Sequence, residues 1–349
     1  MGGKCSHSRM VRRRAALLCA ALLVATAVVP AFGERPQPAV VTAAGAPAPL
    51  AYVLSRHGQV QVLDPGDSTV RAEVDTGAWA TGAAVAPDGT RVYVVNGYAG
   101  VITAVDPLVG KVIGRIHTGA QLARAALHPN GERLYVTGSG VVAVVDTRDF
   151  HLVAAVRVGR QPQGIAVAPD GDLVFVANSQ DGTVTVVDTK SSSPVATIPV
   201  GGLPQNVAIS PDGGAVYVSS LEVSDRSGSV TLIDPLTNRV RWSQKVGRGA
   251  GSVAVTPDGE RVYVALDGEI AVLDTTTYEV AHVRRDARSL AIPPGDRRVF
   301  LACGKTTTVL DSTDNAVLTT FHHSALDSTP LHDNGRGFDA VAVVFAGNR

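Results

Sequence analysis

Residues 164–188 read GIAVAPDGDLVFVANSQDGTVTVVD, and close variants of this string stand before and after it in the chain. Short apolar runs alternate with Pro-Asp-Gly and Ser-Gln-Asp-Gly punctuation, which is the pattern of short strands joined by tight turns. The centre of each copy is an aromatic followed by an aliphatic residue: Tyr52-Val53, Tyr93-Val94, Tyr135-Val136, Phe175-Val176, Tyr217-Val218, Tyr263-Val264 and Phe300-Leu301. The seven copies are spaced by 41, 42, 40, 42, 46 and 37 residues. A period of this length with several strands per repeat predicts the blades of a radial β-array, and no segment sustains the 3.6-residue period of a helix.

Each repeat reads strand, Pro-Asp-Gly turn, strand, polar loop, strand ending in Asp, turn, strand. In PDGT (87–90), PNGE (129–132), PDGD (169–172), PDGG (211–214) and PDGE (257–260), Pro presets φ and Gly takes the positive φ of a tight turn. The third strand ends in Asp64, Asp106, Asp146, Asp188, Asp234, Asp274 and Asp311. A carboxylate at that point accepts backbone N–H groups as the chain reverses, so these aspartates are read as turn residues rather than as a metal or catalytic set. Before each Pro-x-Gly turn one strand position holds Ala: Ala84, Ala126, Ala166, Ala208, Ala254 and Ala291. Small residues belong where strands crowd around an axis, which places this strand innermost.

Six such strands precede seven copies of the others, and GFDAVAVVF (337–345) supplies the seventh, with Ala342 expected at the Ala position. The fold predicted is all-β: a seven-bladed β-propeller of four-stranded blades, its ring closed by the C-terminal strand completing the first blade. Closure of this kind pairs two edges that would otherwise be open.

Ahead of the repeats, Lys4 and Arg12–Arg14 precede an apolar run from Ala15 to Val29 and a small-residue stretch ending at Gly33. This order predicts a cleaved secretory signal peptide over 1–33, a Pro/Ala-rich linker over 34–49 and the propeller over 50–349. An uncleaved anchor is the alternative, but the run is shorter than the about 20 residues a bilayer requires. Loss of the leader removes Cys5 and Cys19 and leaves Cys303, so no internal disulfide is expected. The mature chain is accordingly expected to be secreted or extracytoplasmic, without integral membrane association. With 31 basic and 31 acidic residues, nothing in the net charge points to nucleic acid.

The local strings Tyr135-Val136-Thr137-Gly138 and Phe175-Val176-Ala177-Asn178, taken with the repeat period, resemble those of the YVTN-repeat β-propellers over residues 50–346. That resemblance implies the fold. For function it implies exported scaffold and surface proteins, lactonases or haem-binding domains, a range too wide to transfer an activity.

Residues shared by all blades build the ring, so function is expected where blades differ, on the face formed by the loops entering the innermost strands and those joining second to third strands. Those loops carry Arg124, Arg160, Arg248, Arg285, Arg288 and Arg336, with Gln163 among them, and converging guanidinium groups would bind carboxylate or phosphate. The alternative is separate solvated arginines. Trp79 and Tyr98 belong to the same face, either to stack on a ligand or, the reading favoured for Trp79, to plug the gap between blades. His322, His323 and His332 with Asp327 and Asp333 form a weak candidate metal set of no recognised spacing. No cofactor is implied: there is no C-x-x-C-H, no Gly-rich fingerprint opening a helix, and Asp339 is a lone carboxylate where a central divalent ion would need several. The function expected is therefore a binding or scaffold protein that takes an anionic small molecule or a protein partner on its arginine-bearing axial face. The alternative is a lactonase-like hydrolase or lyase using His57, His117 or the 322–333 loop.

Overall fold

The computed structural model describes residues 50–55, 57–64, 69–77, 79–323 and 340–345. The leader and linker, Asp327, His332, Asp333, Arg336 and Asp339 lie outside the described residues. The described chain folds into seven four-stranded antiparallel sheets, with no helix among the described residues.

Blade 1 contains β1 (Ala51–Ser55), β2 (Gln59–Asp64) and β3 (Thr69–Asp75). Blade 2 is β4 (Ala80–Val85), β5 (Val92–Asn96), β6 (Val101–Asp106) and β7 (Lys111–His117). Blade 3 is β8 (Ala125–Leu127), β9 (Arg133–Gly138), β10 (Val141–Asp146) and β11 (His151–Arg157). Blade 4 is β12 (Pro162–Val167), β13 (Leu173–Asn178), β14 (Thr183–Asp188) and β15 (Ser193–Pro199). Blade 5 is β16 (Leu203–Ile209), β17 (Val216–Leu221), β18 (Ser227–Asp234) and β19 (Arg239–Arg248). Blade 6 is β20 (Val253–Val255), β21 (Arg261–Ala265), β22 (Ile270–Asp274) and β23 (Val280–Val283), and blade 7 is β24 (Ser289–Ala291), β25 (Arg298–Cys303), β26 (Thr306–Asp311) and β27 (Val317–His322).

The final strand, β28 (Ala340–Phe345), pairs antiparallel with β1 and is the innermost strand of blade 1, as the repeat count required. The first strands of successive blades touch in an unbroken circle, β28 to β4, β8, β12, β16, β20, β24 and back to β28. These strands therefore surround the axis.

Seven apolar clusters fill the seven gaps between blades. In each, the repeated aromatic of one blade packs against the blade that follows; Tyr93 meets Leu134 and Val136, and Phe300 meets Ala51 and Val53. Burying each ring contributes about 2 kcal/mol, and the repeat multiplies that gain around the ring. The register explains the conserved-looking Ala position in six blades. Ala84, Ala126, Ala166, Ala208, Ala254 and Ala291 each stand directly opposite the aromatic of the next strand. Paired residues share a face, so a methyl group there leaves room for the ring where the blades converge. Blade 1 departs from this. Val344, not Ala342, stands opposite Tyr52, and Ala342 stands opposite Leu54, so the expected alignment was displaced by two residues. A shift of two preserves which face each side chain takes, which is why the period alone did not separate the two registers.

Crowding is severe beside Gly164, the first residue of the opening string. A Cβ at Gly164 would lie 2.4 Å from the Cα of Asn206 and 2.9 Å from its carbonyl carbon, so backbone of blade 5 would have to move. Gly164→Ala is expected to lower stability by about 2 kcal/mol, read as a lower urea midpoint with unchanged slope.

The turns behave as the sequence implied. Asp106 accepts the N–H groups of Leu108 and Val109 at 3.0 and 3.1 Å, and Asp274 those of Thr276 and Thr277 at 2.9 and 2.7 Å. These bonds hold the Asp274 carboxyl below the usual carboxylate range. Asn96 and Asn178, at the ends of second strands, tie the exit of the fourth strand back to the blade. Asn96 Nδ2 donates to the Gly77 carbonyl at 2.7 Å, and Asn178 Oδ1 accepts the Gly159 N–H at 3.1 Å. Because strands alternate in direction, the Pro-x-Gly and Asp turns share one side of the disc, here called the turn face. The remaining connections share the opposite side, the loop face. The described chain begins at Leu50 on the turn face.

Candidate functional site

On the loop face of blade 2, Trp79 and Tyr98 meet edge to face with ring centroids 5.4 Å apart and planes inclined at 68°. Trp79 is 42 % exposed and Tyr98 65 %, so neither plugs the gap between blades, which Tyr93, Leu134 and Val136 already fill. Trp79 also sits at φ +68° in the left-handed region, as does Gln161 at the same point of blade 4 (φ +51°). That conformation costs a bulky L-residue on the order of 1 kcal/mol. Trp79→Gly is accordingly expected to change stability by less than about 1 kcal/mol, measured by calorimetry, because relief of the left-handed strain offsets the loss of the half-buried ring and the added freedom of glycine in the unfolded chain.

Among the described residues, the arginines take separate positions on the loop face. The innermost of those described, Arg124, occupies a position held by Gly82, Gly164, Asn206, Ser252 and Ser289 in the corresponding strands of other blades. Its Nη1 donates to the Thr81 carbonyl at 3.0 Å, and its chain crosses Gly82, where a Cβ would stand 3.3 Å from Arg124 Cδ. Burial pulls its pKa down from the ordinary arginine value. Thr137 links it to Gln163: the Thr137 hydroxyl accepts the Arg124 N–H at 3.0 Å and donates to the Gln163 carbonyl at 2.9 Å.

Arg160 turns outward instead. Its Nε donates to Asp181 Oδ1 at 2.5 Å, its backbone N–H donates to Asp181 Oδ2 at 2.7 Å, and these bonds depress the Asp181 pKa, the backbone one most. Arg226 pairs with Asp267 at 3.7 Å and Lys245 with Asp225 at 2.7 Å. Arg248 and Arg285 are exposed. Arg288 lines a cleft of about 360 Å³ between blades 6 and 7, together with Asp267 and Asp286. The loop face thus carries cations matched by Asp181, Asp225 and Asp267, with Asp286 beside Arg288 in the cleft. Their pairing depends on which way long side chains swing, and period and spacing hold no record of that.

Cys303 donates to Asp286, one of the residues of that cleft, at 3.2 Å. Burial, followed by the neighbouring carboxylate, pushes its thiol pKa up to about 11, so it is protonated at neutral pH and a poor nucleophile. The two described histidines of the candidate metal set do not act together. His322 is exposed, whereas His323 is 2 % exposed and engages both ring nitrogens, with Thr307 Oγ1 at 2.8 Å and Gln61 Oε1 at 3.0 Å. Among the described residues, the one group of three possible metal ligands is Asp146, Asp149 and His151 on the turn face, within 4.8 Å of one another. Asp146 there already accepts the Arg148 and Asp149 N–H groups.

The fold and its ring closure define a seven-bladed β-propeller. Residues 200–320 match the family model described as outer membrane protein assembly factor BamB, and this chain is similar to that family over those residues. Among solved structures it is similar to hydrazine synthase of Kuenenia stuttgartiensis, with 25 % identity and a TM-score of 0.63 over 67 % of this chain and 76 % of that one. It is also similar to a functionally unknown protein from Desulfotomaculum acetoxidans, with 14 % identity and a TM-score of 0.69 over 86 % of this chain and 100 % of that one. A dihydro-heme d1 dehydrogenase, NirN, shares 17 % identity over 80 % of this chain and 74 % of its own, with a TM-score of 0.59. The last two likenesses concern the fold alone. No curated protein matches the chain.

Proposed function

We propose that this chain is an exported, non-catalytic propeller of the YVTN-repeat kind that docks a protein partner on its loop face. The observation that carries this reading is the exposed Trp79–Tyr98 pair, held on a rigid blade with Trp79 in a strained conformation. Rigid aromatics of this sort anchor protein interfaces, and a rim of mixed charges around them sets register and association rate more than affinity. Arg160–Asp181 in blade 4 and Arg226–Asp267 and Lys245–Asp225 in blades 5 and 6 place such charges on other parts of the same face. The BamB-like match over residues 200–320 favours an extracytoplasmic setting and an assembly role over an enzymatic one.

A second reading, a small anion at the axial mouth, rests on Arg124, which has burial and a carbonyl contact but no carboxylate partner among the described residues. The two readings separate on variants. Once a partner has been isolated by cross-linking and purified, Trp79→Gly with Tyr98→Ser is expected to weaken its binding at least about tenfold, since anchor residues cost upward of about 2 kcal/mol each. Arg124→Met is expected to leave that affinity unchanged. If Arg124→Met abolishes binding while the aromatic variants retain it, the anion reading replaces the first.

A further inference from the structure

On the turn face, blades 2 and 3 enclose a cleft of about 490 Å³ lined by Arg91, Tyr93, Thr147, Arg148, Asn130 and Glu132, among others. The molecule contains its own control for this cleft in the gap between blades 6 and 7, built from the same parts. There Arg261 donates to the carbonyls of Ser312 and Thr313, and the Tyr263 hydroxyl, at the bottom of the gap, is held by the Ser312 carbonyl at 3.2 Å and Asn315 Oδ1 at 2.7 Å. Asn315 is the left-handed residue (φ +61°) of the β26–β27 turn.

In the gap between blades 2 and 3 the corresponding turn residue is Phe150, also left-handed (φ +50°). Its ring lies against Tyr93, centroids 5.9 Å apart, and over Gly114, where a Cβ would meet it at 2.7 Å. A phenyl ring cannot accept as Asn315 does. The Tyr93 side chain is 1 % exposed overall, yet its hydroxyl lines the cleft and has no partner among the described residues. Arg91 is fixed by one bond, Nη1 to the Thr147 carbonyl at 2.5 Å, and its other guanidinium donors have no partner among the described residues. Phe in place of Asn at this turn position leaves the Tyr93 hydroxyl without the acceptor that Tyr263 has, and Arg91, held by the Thr147 carbonyl alone where Arg261 meets two carbonyls, lines the same space.

We infer that this cleft is a second binding site, distinct from the loop face, for a small carboxylate that also carries a hydrogen-bond donor. The carboxylate fits the remaining donors of Arg91 and the Tyr93 hydroxyl, a planar fork and a neutral donor together. The donor on the ligand fits the acceptors at the rim, Asp88 and Glu132. Glu132 is already engaged by Arg148 at 3.3 Å and Asn130 at 3.1 Å, and Asp88 accepts from Thr90. Their charge opposes a bare polyanion and favours a hydroxy acid or amino acid.

The test is calorimetric titration of the full chain with L-lactate and L-alanine, and with inorganic phosphate as the oxyanion lacking the second function. The two organic acids are expected to bind and phosphate to bind at least about threefold more weakly. Arg91→Gln is expected to weaken binding at least about tenfold, the scale of one charged hydrogen bond, and Tyr93→Phe by a few-fold. Phe150→Asn, which gives Tyr93 the acceptor that Tyr263 already has, is expected to close the site with the fold intact by circular dichroism. Arg288→Ala, on the other face, is expected to leave binding unchanged. Absence of binding by either organic acid, or affinity unaffected by Arg91→Gln and Phe150→Asn, would overturn the inference.

Discussion

A chain ended at residue 339 is expected to lose cooperative folding. Without β28, blade 1 has no innermost strand, and β1 is left with an open edge along Ala51, Tyr52, Val53 and Leu54, each 1 % exposed or less in the closed ring. Tyr52, Val53 and Leu54 alone then forfeit about 2 kcal/mol each, a large fraction of the about 5–15 kcal/mol that ordinarily holds a domain. The contacts of β28 with β4 and β24 vanish as well, so the circle opens between blades 7 and 2. Urea unfolding followed by circular dichroism should show a broad, low transition for the shortened chain against one sharp transition for the whole. Matching midpoints would mean that the six remaining blades close without β28.

The second large effect lies at the same closure. His323, just after β27 in blade 7, is buried and bridges Thr307 of its own blade to Gln61 of blade 1. Replacing it by Ala leaves two buried polar groups unpaired and opens a void, at a cost of about 3 kcal/mol. Burial, with a smaller contribution from His322, lowers the His323 pKa below its ordinary value of 6.5. A histidine depressed in the folded state binds its proton more readily when unfolded. The stability it lends is therefore full above pH 6.5 and declines as pH falls through 6.5 toward the lower folded value. Thermal midpoints between pH 7.5 and 5.5 should fall for the native chain and fall less steeply for His323→Gln; parallel profiles would mean that His323 takes up its proton equally readily folded and unfolded.

The fold was legible because a propeller repeats one packing solution seven times, and each repetition confirms the others. Tyr93, the 87–90 turn and Asp106 mean little alone, but their recurrence at a near-constant spacing fixes strand number, strand order and ring closure. What period could not resolve was anything that depends on a step of two. Ala342 and Val344 lie on one face, and only the pairing of Tyr52 with Val344 distinguishes them.

The candidate site was legible only as a face. Loop connectivity put Trp79, Tyr98 and the arginines on one side of the disc, but the outward turn of Arg160 onto Asp181 and the inward lie of Arg124 across Gly82 are rotamer choices. His323 looked like half of a metal pair because it adjoins His322; strand alternation in fact sends the two to opposite sides, one exposed and one buried. The turn face looked plain in sequence because its residues recur. Its cleft lies beside Phe150, at a turn step that varies from blade to blade, with Gly110, Ser192, Asn238, Tyr278 and Asn315 in the others.

The docking face itself is tested most directly by site-specific photo-crosslinking of the full chain in its own cellular setting. A photoreactive residue in place of Tyr98 or Arg288 is expected to yield a discrete protein adduct, and the Tyr98 adduct should disappear when Trp79→Gly is added. The same residue in place of Asn130 or Leu236, on the turn face, should give none. Adducts confined to the turn-face positions would contradict the assignment of the loop face as the partner-binding surface.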